Sequence, residues 1–497
     1  MARPGVYVTE SVLTTPIANQ TQTTSCGALI AALPSGPVAP TLVNSWYQFT
    51  SIFGGLDSNY SATFAANMFF RSGGRDMYVS RVTLNDAVKA SAVLKSSVGT
   101  TAWLTFTAKG KGTYGNSLRV VITLNSSNLY DVSVIKDAGV ADTVVSGAVT
   151  AGTDDDTILE SYSNLNLAQF NNAEVVSIFA VRSQYLDVAW NSGASALLIT
   201  PTLSTIPLTG GTDGSTGTYD YPSALTALST IDRSLVLFSP GIVDTTTIAA
   251  LVAAAETNKW FVVLDTAVGL SPANAVTYAG TLASSTYAAV YYPHLWVTDS
   301  TSASRDAVKL MPPSGAVAGI YLSTDSVRGV FKAPAGIEAV IPGVVALERN
   351  LTSAELDALN NDVTPVNAIR NIAGVGPAVM GARTLKQSTS LRYVNIRRSL
   401  THVNREMKNR LEFAIYRNND ILLWTQMRTV LDSFLVGFWT AGGLRGGTKA
   451  QAYYIKIDSE NNSPADVANG IVNVEVGLAL QYPAEFIRVK LTQQTLS

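Results

Sequence analysis

The sequence predicts a mixed α/β (α+β) multidomain chain whose centre is a parallel sheet covered on both faces. Three observations carry this. Residues 205–375 alternate short apolar runs with helix-length segments, residues 97–204 switch to period-two strands, and each end holds a strand-like run with no local partner. At 497 residues the chain exceeds one simple core, so roughly two to four domains are expected.

The elements follow in order. Residues 1–20 read as a short strand, Val6, Tyr7, Val8 and Thr9, followed by the polar thread "TTPIANQTQTTS". Residues 21–96 read as compact and mixed, with "CGALIAALP" as a buried strand, "ATFAANMFFRSGG" as a helix with a glycine stop, and "DMYVSRV" as a strand. From 97 to 204 the strands are "WLTFTAKG", "LRVVITL", "YDVSVIKD" and "EVVSIFAV", with a Gly115-Asn116 turn between the first two. This block reads as a β-rich module inserted into the surrounding domain. Its "GTDDDT" lacks the alternating ligands and distal Glu of a calcium loop, and a solvated acidic turn is the better reading.

Residues 205–375 give the parallel sheet: "SLVLFSPG", "WFVVLD" and "YAAVYYP" separated by the helical "TTTIAALVAAAETNK" and "SPANAVTYAGTLAS". Thr352 and Glu355 in "LTSAELDALN" have capping-box spacing. Residues 376–480 read as α+β. "HVNREMKNRLEFAIYR" puts Val403, Met407, Leu411 and Ala414 on one helical face. "ILLWTQMRTVLDSFLVGFWTAGG" is apolar on most of its circumference, so burial on nearly all sides is expected. "QAYYIKID" and "GIVNVEVGLAL" follow as strands. Residues 481–497 close the chain with "EFIRVKLT", in which Ile487, Val489 and Leu491 alternate with Arg488 and Lys490.

Charged residues make up 14 % of the chain, against about 25 % in a typical soluble domain. Much of the surface is therefore expected to be covered by something other than water, most simply by copies of the chain itself. A formal net charge of −2 makes no global case for nucleic acid or an acidic membrane. Cys26 is the lone cysteine, no basic-then-apolar leader opens the sequence, and residues 266–304, though nearly uncharged, are too polar for a membrane helix. The lone cysteine suits a reducing compartment or a protein that needs no staples, and a soluble protein made in a cytoplasm is expected.

Catalytic and cofactor motifs are sparse. The chain has 2 histidines, His294 and His402. Ser314 with His294 and Asp265 or Asp299 is the one arrangement available to a hydrolase, without the G-x-S-x-G elbow; a hydrogen-bonded structural histidine is the better reading. No ligand spacing for a metal is present, and neither "LTGGTDGSTGTYD" nor "AGVGPAVMGARTL" has the spacing of a phosphate or dinucleotide loop. Both read as turns that need positive φ. No cofactor is expected. One cluster stands out: between Arg383 and Glu412 lie Arg383, Lys386, Arg392, Arg397, Arg398, Arg405, Lys408 and Arg410, against Glu406 and Glu412. It suits pairing with an acidic protein surface, with a solvated helix face and nucleic-acid contact as the alternatives.

Taken in order, "RPGVYVTE", "FGG", "GGRDMYVSRV", "GTYGNSLRV", "GGTDG", "MPPSGAVAGIYLSTDSVRGVFKAPAG", "NAIRNIAGVGPAVMGARTL", "RYVNIRRSLTHVNREM" and "YPAEFIRVKL" resemble the tail-sheath proteins of contractile bacteriophages and of related phage-tail-like bacteriocins. The series spans nearly the whole chain. Met380 departs from the family's common Trp at a position expected to pack. The resemblance implies a structural, non-enzymatic subunit that polymerises as stacked rings or helical strands around an inner tail tube. Its C-terminal domain would be completed by strands from two neighbours: Val6, Tyr7, Val8 and Thr9 from one arm, and Phe486, Ile487, Val489 and Leu491 from the other. The basic strip Arg392, Arg397, Arg398, Arg405, Lys408 and Arg410 would face the tube. Baseplate and tail-terminator proteins would be further partners, with no nucleic acid and no membrane insertion. The protein would sit in the virion tail after assembly in the host cytoplasm, and contraction would drive the tube through a cell envelope. An α/β hydrolase using Ser314 and His294, or another shell or receptor-binding component of a particle, are the competing expectations.

Overall fold

The computed structural model describes residues 25–95, 102–125, 127, 129–136, 144–145, 148–149, 157–165, 173–191 and 204–485. Its centre is an eight-stranded sheet ordered Thr41–Val43, Met77–Arg81, Ser25–Ala31, Ser234–Phe238, Phe261–Asp265, Ala288–Tyr292, Asn367–Ile372 and Gly376–Val379. The inner pairings are parallel and the two outermost are antiparallel. The strand runs expected at 26–34, 76–82 and 234–292 all lie in it.

Two-sided burial explains why these strands read as unbroken apolar runs. Successive side chains point to opposite faces. Leu29, Val236, Phe238, Val263 and Tyr291 enter one core, beneath the helices Ser61–Arg71 and Ser314–Val327. Ala28, Leu235, Leu237, Val262 and Val290 enter the other, beneath Thr245–Asn258 and Pro272–Thr281. The helix over 353–359 starts at the capping box, where Thr352 Oγ1 accepts from the Glu355 amide and the Glu355 carboxylate accepts from the Thr352 amide.

The two helices on the first face touch backbone to backbone. A Cβ on Gly315 would lie 2.4 Å from the Ala65 carbonyl oxygen, and one on Gly319 would lie 2.4 Å from that of Phe69. Only glycine fits at these two positions, one helical turn apart.

Residues 90–208 supply a separate apolar cluster around Phe106, Val120, Val132, Val134 and Phe179. It is formed by the sheets Leu186–Trp190, Ala102–Lys111, Lys89–Lys95 and Thr157–Leu165, Tyr130–Lys136, Leu118–Leu124, Ser204–Pro207. The strands at 89–95, 157–165, 186–190 and 204–207 were not legible in advance. "EVVSIFAV" is corrected: it lies in a helix, Ala173–Arg182, not a strand. Val175 and Phe179, one turn apart, are buried, and the Phe179 ring packs 4.6 Å from Tyr162 and 6.0 Å from Phe106. Lys109 Nζ then donates to the carbonyls of Ala180 and Ser183 at the helix end. Tertiary packing and this cap override the strand propensity of the valines.

The glycine-rich stretches supply turns, but the second, expected as turn alone, also forms the strand Gly376–Val379 of the central sheet. Gly210, Gly214, Gly374 and Gly376 all have positive φ. "GGTDG" also fastens two segments, since Asn116 exchanges hydrogen bonds with the Gly211 backbone at 2.8 and 2.9 Å, and Asp213 accepts from the Thr113 amide and hydroxyl. The Gly115-Asn116 turn itself is a 3-10 turn over Thr113–Ser117. Residues 152–156 of the acidic turn lie outside the described residues.

Candidate functional site

The helix Val394–Leu411 begins well before the expected start at 402, and Ala414 falls in a 3-10 turn, Glu412–Ala414, after its end. Its first half is largely buried, with Val394 in the first core and Arg398 bonded to Ser25 of the central sheet. Its second half carries Val403 and Met407 into a smaller C-terminal core with Leu435, Phe438 and Tyr453. One continuous helix therefore belongs to both.

The helix Ile421–Thr440 follows, with Asp420 as N-cap accepting from the Leu423 amide. Burial on nearly all sides is not what the chain provides. Leu423, Met427, Leu431, Leu435 and Phe438 form one buried stripe, while Ile421 and Leu422 are exposed. The stripe covers a two-stranded antiparallel sheet, Tyr453–Lys456 with Glu475–Leu478. Tyr453 donates its hydroxyl to Asp432 of the helix at 2.9 Å, and Lys449 pairs with the same carboxylate. Burial opposes ionisation of Asp432, but those two contacts outweigh it and hold its pKa below the ordinary value. Across the strands Tyr454 is opposite Gly477, and its ring occupies the space a Cβ on Gly477 would need. Tyr454 then donates to Glu475 at 2.7 Å.

Among the described residues neither strand of this pair has a second strand partner, so the sheet has two open edges. An isolated pair is marginal in water and an open edge is a template for another chain. The arrangement can therefore accept one added strand on each side.

The chain leaves this sheet along a cleft of about 700 Å³ lined by Phe331, Tyr393, Tyr482 and Glu485. Met380, on its rim, is 36 % exposed and does not pack as expected. Asn395 Nδ2 donates to the Phe331 and Gln481 carbonyls, and the Tyr482 ring meets Tyr393 edge-on at 6.3 Å with the Arg445 guanidinium 5.1 Å away. Glu485 takes a two-pronged contact from Arg383, Nε–Oε1 2.8 Å and Nη2–Oε2 2.9 Å, and a third hydrogen bond from Tyr393 Oη at 2.8 Å. Burial opposes the Glu485 charge, but these donors hold its pKa below the usual glutamate range. The same guanidinium reaches Asp362 at 3.1 Å. Arg383 sits in the basic cluster, yet its acidic partner lies far along the sequence, where spacing gives no signal.

The terminal strand residues Val6, Tyr7, Val8, Thr9, Phe486, Ile487, Val489 and Leu491 lie outside the described residues. The six strip residues do not form one outward face. Arg398 is inside, donating from Nη1 to Asp325 at 2.9 Å and from Nη2 to Ser25 at 3.1 Å, with its guanidinium 4.9 Å from the Tyr321 ring. Arg397 is partly buried, 4.3 Å from the Tyr287 ring, and burial lowers its pKa. Arg398 is corrected to an internal position and Arg397 to a partly buried one, because the first half of their helix is largely buried. Arg405 pairs with Asp232, and Arg410 pairs with Glu406 while covering Phe434. Arg392 and Lys408 are exposed.

Ser314 and Asp265 do meet. Asp265 accepts from the Ser314 hydroxyl at 2.6 Å, from its amide at 2.8 Å and from the Gly241 amide at 3.1 Å. Burial raises the Asp265 pKa against these donors and nearby His294. Ser314 is fully buried, and its proton is committed to the carboxylate at the start of a helix. A nucleophile needs a base for that proton and room for a substrate; here the geometry fastens helix to sheet. The His294 amide donates to Glu348 at 3.1 Å, and its ring Nδ1 faces the same carboxylate at 3.4 Å. Among the described residues no cluster suits a metal ion and no helix is long and apolar enough to cross a membrane.

No family model matches the chain, and no curated protein does. Solved structures match along nearly its whole length. The chain resembles the sheath of an extracellular contractile injection system, the PVC sheath complex in its contracted state, at 21 % identity and TM-score 0.58, covering 99 % of this chain and 98 % of that one. It resembles the helical sheath of the anti-feeding prophage in its contracted state at 20 % identity and TM-score 0.56, covering 99 % and 100 %. The sheath tail protein of Listeria innocua matches at 13 % identity and TM-score 0.55, covering 92 % and 95 %. The fold of this mixed α/β chain is that of these sheath proteins.

Proposed function

We propose that this chain is a sheath subunit of a contractile tail or tail-like injection particle. Copies polymerise around an inner tube by strand addition. Val6–Thr9 of one neighbour and Phe486, Ile487, Val489 and Leu491 of another add to the open edges of the 453–456 and 475–478 pair. Main-chain hydrogen bonds then supply linkage, and alternate side chains supply register. The inserted 97–204 module lies on the outer side of the assembly, and the 376–480 region on the inner, tube-facing side. Contraction rearranges the subunits while the arms stay paired, and drives the tube through a cell envelope. The tube, a baseplate and a tail terminator are the partners, in a particle assembled in the host cytoplasm. Of the basic strip, the exposed Arg392, Lys408 and Arg410 are the residues left to face an acidic tube.

The observation that carries this reading is the two-stranded sheet open on both edges, beside the point where the C-terminal segment departs at 485. The fold likeness and the low charge support it. Deleting residues 1–15 tests it: the truncated chain should fold with the intact chain's thermal transition yet form no tubes in negative-stain micrographs. Normal tubes from the truncated chain would sink the strand-addition reading.

A further inference from the structure

Resting on that reading, we infer that Arg383 is the positioning residue that anchors the root of the C-terminal arm, so that load on the arm enters the central sheet instead of the socket. Residues 486–497 follow directly on Glu485, and the nearest upstream element is Glu475–Leu478, a 4-residue strand. A pull arriving at residue 486 with nothing to hold it would travel back along 479–485 and peel that strand from Tyr453–Lys456. A pair this short resists peeling poorly. The open edges that receive the neighbours' strands would be lost with it.

Three fastenings intercept the pull. Glu485 is gripped by both prongs of Arg383 and by Tyr393. Tyr482 is held between Tyr393 and Arg445. The Gln481 carbonyl is bonded by Asn395. The strongest of these, the forked guanidinium–carboxylate contact, resists displacement in two directions at once. Arg383 passes the load on through its own backbone. Its amide donates to Asn367 Oδ1 at 2.7 Å, and its carbonyl accepts from Asn367 Nδ2 at 2.8 Å. Asn367 belongs to a strand of the eight-stranded sheet and also bonds the Val290 carbonyl of the adjacent strand at 3.0 Å. The route from arm to sheet is thus Glu485, Arg383, Asn367, Val290. It bypasses both the socket strands and the helix covering them. The Arg383 side chain is 5 % exposed and Glu485 22 %, so water does not compete freely for the contact.

The anchor also sets how much chain is free. With Glu485 held, the arm's free length is counted from 486.

Glu485→Gln and Arg383→Lys in the full-length chain test this. Glu485→Gln removes the charge but keeps the shape; Arg383→Lys keeps the charge but removes the fork. In the unassembled chain, backbone amide order parameters at 481, 482, 484 and 485 should fall from about 0.85 to below about 0.6 in either variant while 453–456 stays unchanged. In assembled tubes, both variants should still link, but tubes should break into shorter pieces under shear that leaves intact-chain tubes whole. Unchanged order parameters at 481–485, or variant tubes as resistant as the parent, overturn the anchor. An intact chain that never forms tubes overturns the linking reading itself, and the relaxation experiment separates that failure because it needs no assembly.

Discussion

Arg398 and Asp325 face each other as a buried ion pair, 5 % and 4 % exposed, that ties the helix Val394–Leu411 to the helix Ser314–Val327. A basic residue that looks like part of a surface strip is thus an internal fastening. Replacing it with Glu would set two carboxylates against each other with no water to separate them. Removing one member of a buried pair typically costs about 3–5 kcal/mol. Arg398→Glu is expected to lower the urea midpoint of the unassembled chain by at least that equivalent, whereas Arg398→Met with Asp325→Leu should recover most of the loss.

Gly319 gives a second stability test. Its absent Cβ lets the Ser314–Val327 helix approach the Phe69 carbonyl. Gly319→Ala should cost about 1–3 kcal/mol by overpacking, despite alanine's better helix propensity. Thermal unfolding measures it; a stabilised variant would show that the helices separate easily.

Acid should release the arm root. The Glu485 pKa is depressed from its ordinary value of 4.5, so the contact contributes fully above that value and is lost as pH falls through the lower, folded-state value. Amide order parameters at 481–485 should stay high at pH 5 and above and fall on the acid side of about pH 4.5. Glu485→Gln should show no such step.

Tube recognition is expected to rest on the outward charges. Arg392→Glu with Lys408→Glu should weaken assembly around the tube, more at low than at high salt, while the unassembled chain melts as before. Equal decoration at all salt concentrations would remove these residues from the interface.

Five strands of the central sheet were readable because two-sided burial writes itself into the sequence as unbroken runs such as "WFVVLD" and "YAAVYYP", whereas the flanking Thr41–Val43, Asn367–Ile372 and Gly376–Val379 carry no such run. The capping box at Thr352 and Glu355 was readable because its chemistry is local. The helix at Ala173–Arg182 was not, because its valines favour strand and only the contacts with Phe106 and Tyr162, remote in sequence, decide otherwise. The site divides in the same way. The strands at 453–456 and 475–478 announce themselves by composition. That Arg383 reaches Glu485 while Arg398 turns inward depends on depth within the fold, which spacing along a helix does not encode.

The helix shared by the two cores has a mechanical corollary. It runs 18 residues without a break, about 27 Å at the usual rise per residue. Its root is set in the sheet by Arg398, and its tip carries the C-terminal core. Such a rod is a lever arm. A tilt of about 20° at the root would swing the tip through roughly 9 Å, by the geometry of a rod of that length. Small reorientations of the sheet would thereby become travel approaching a nanometre at the far end, with no joint in between to absorb them.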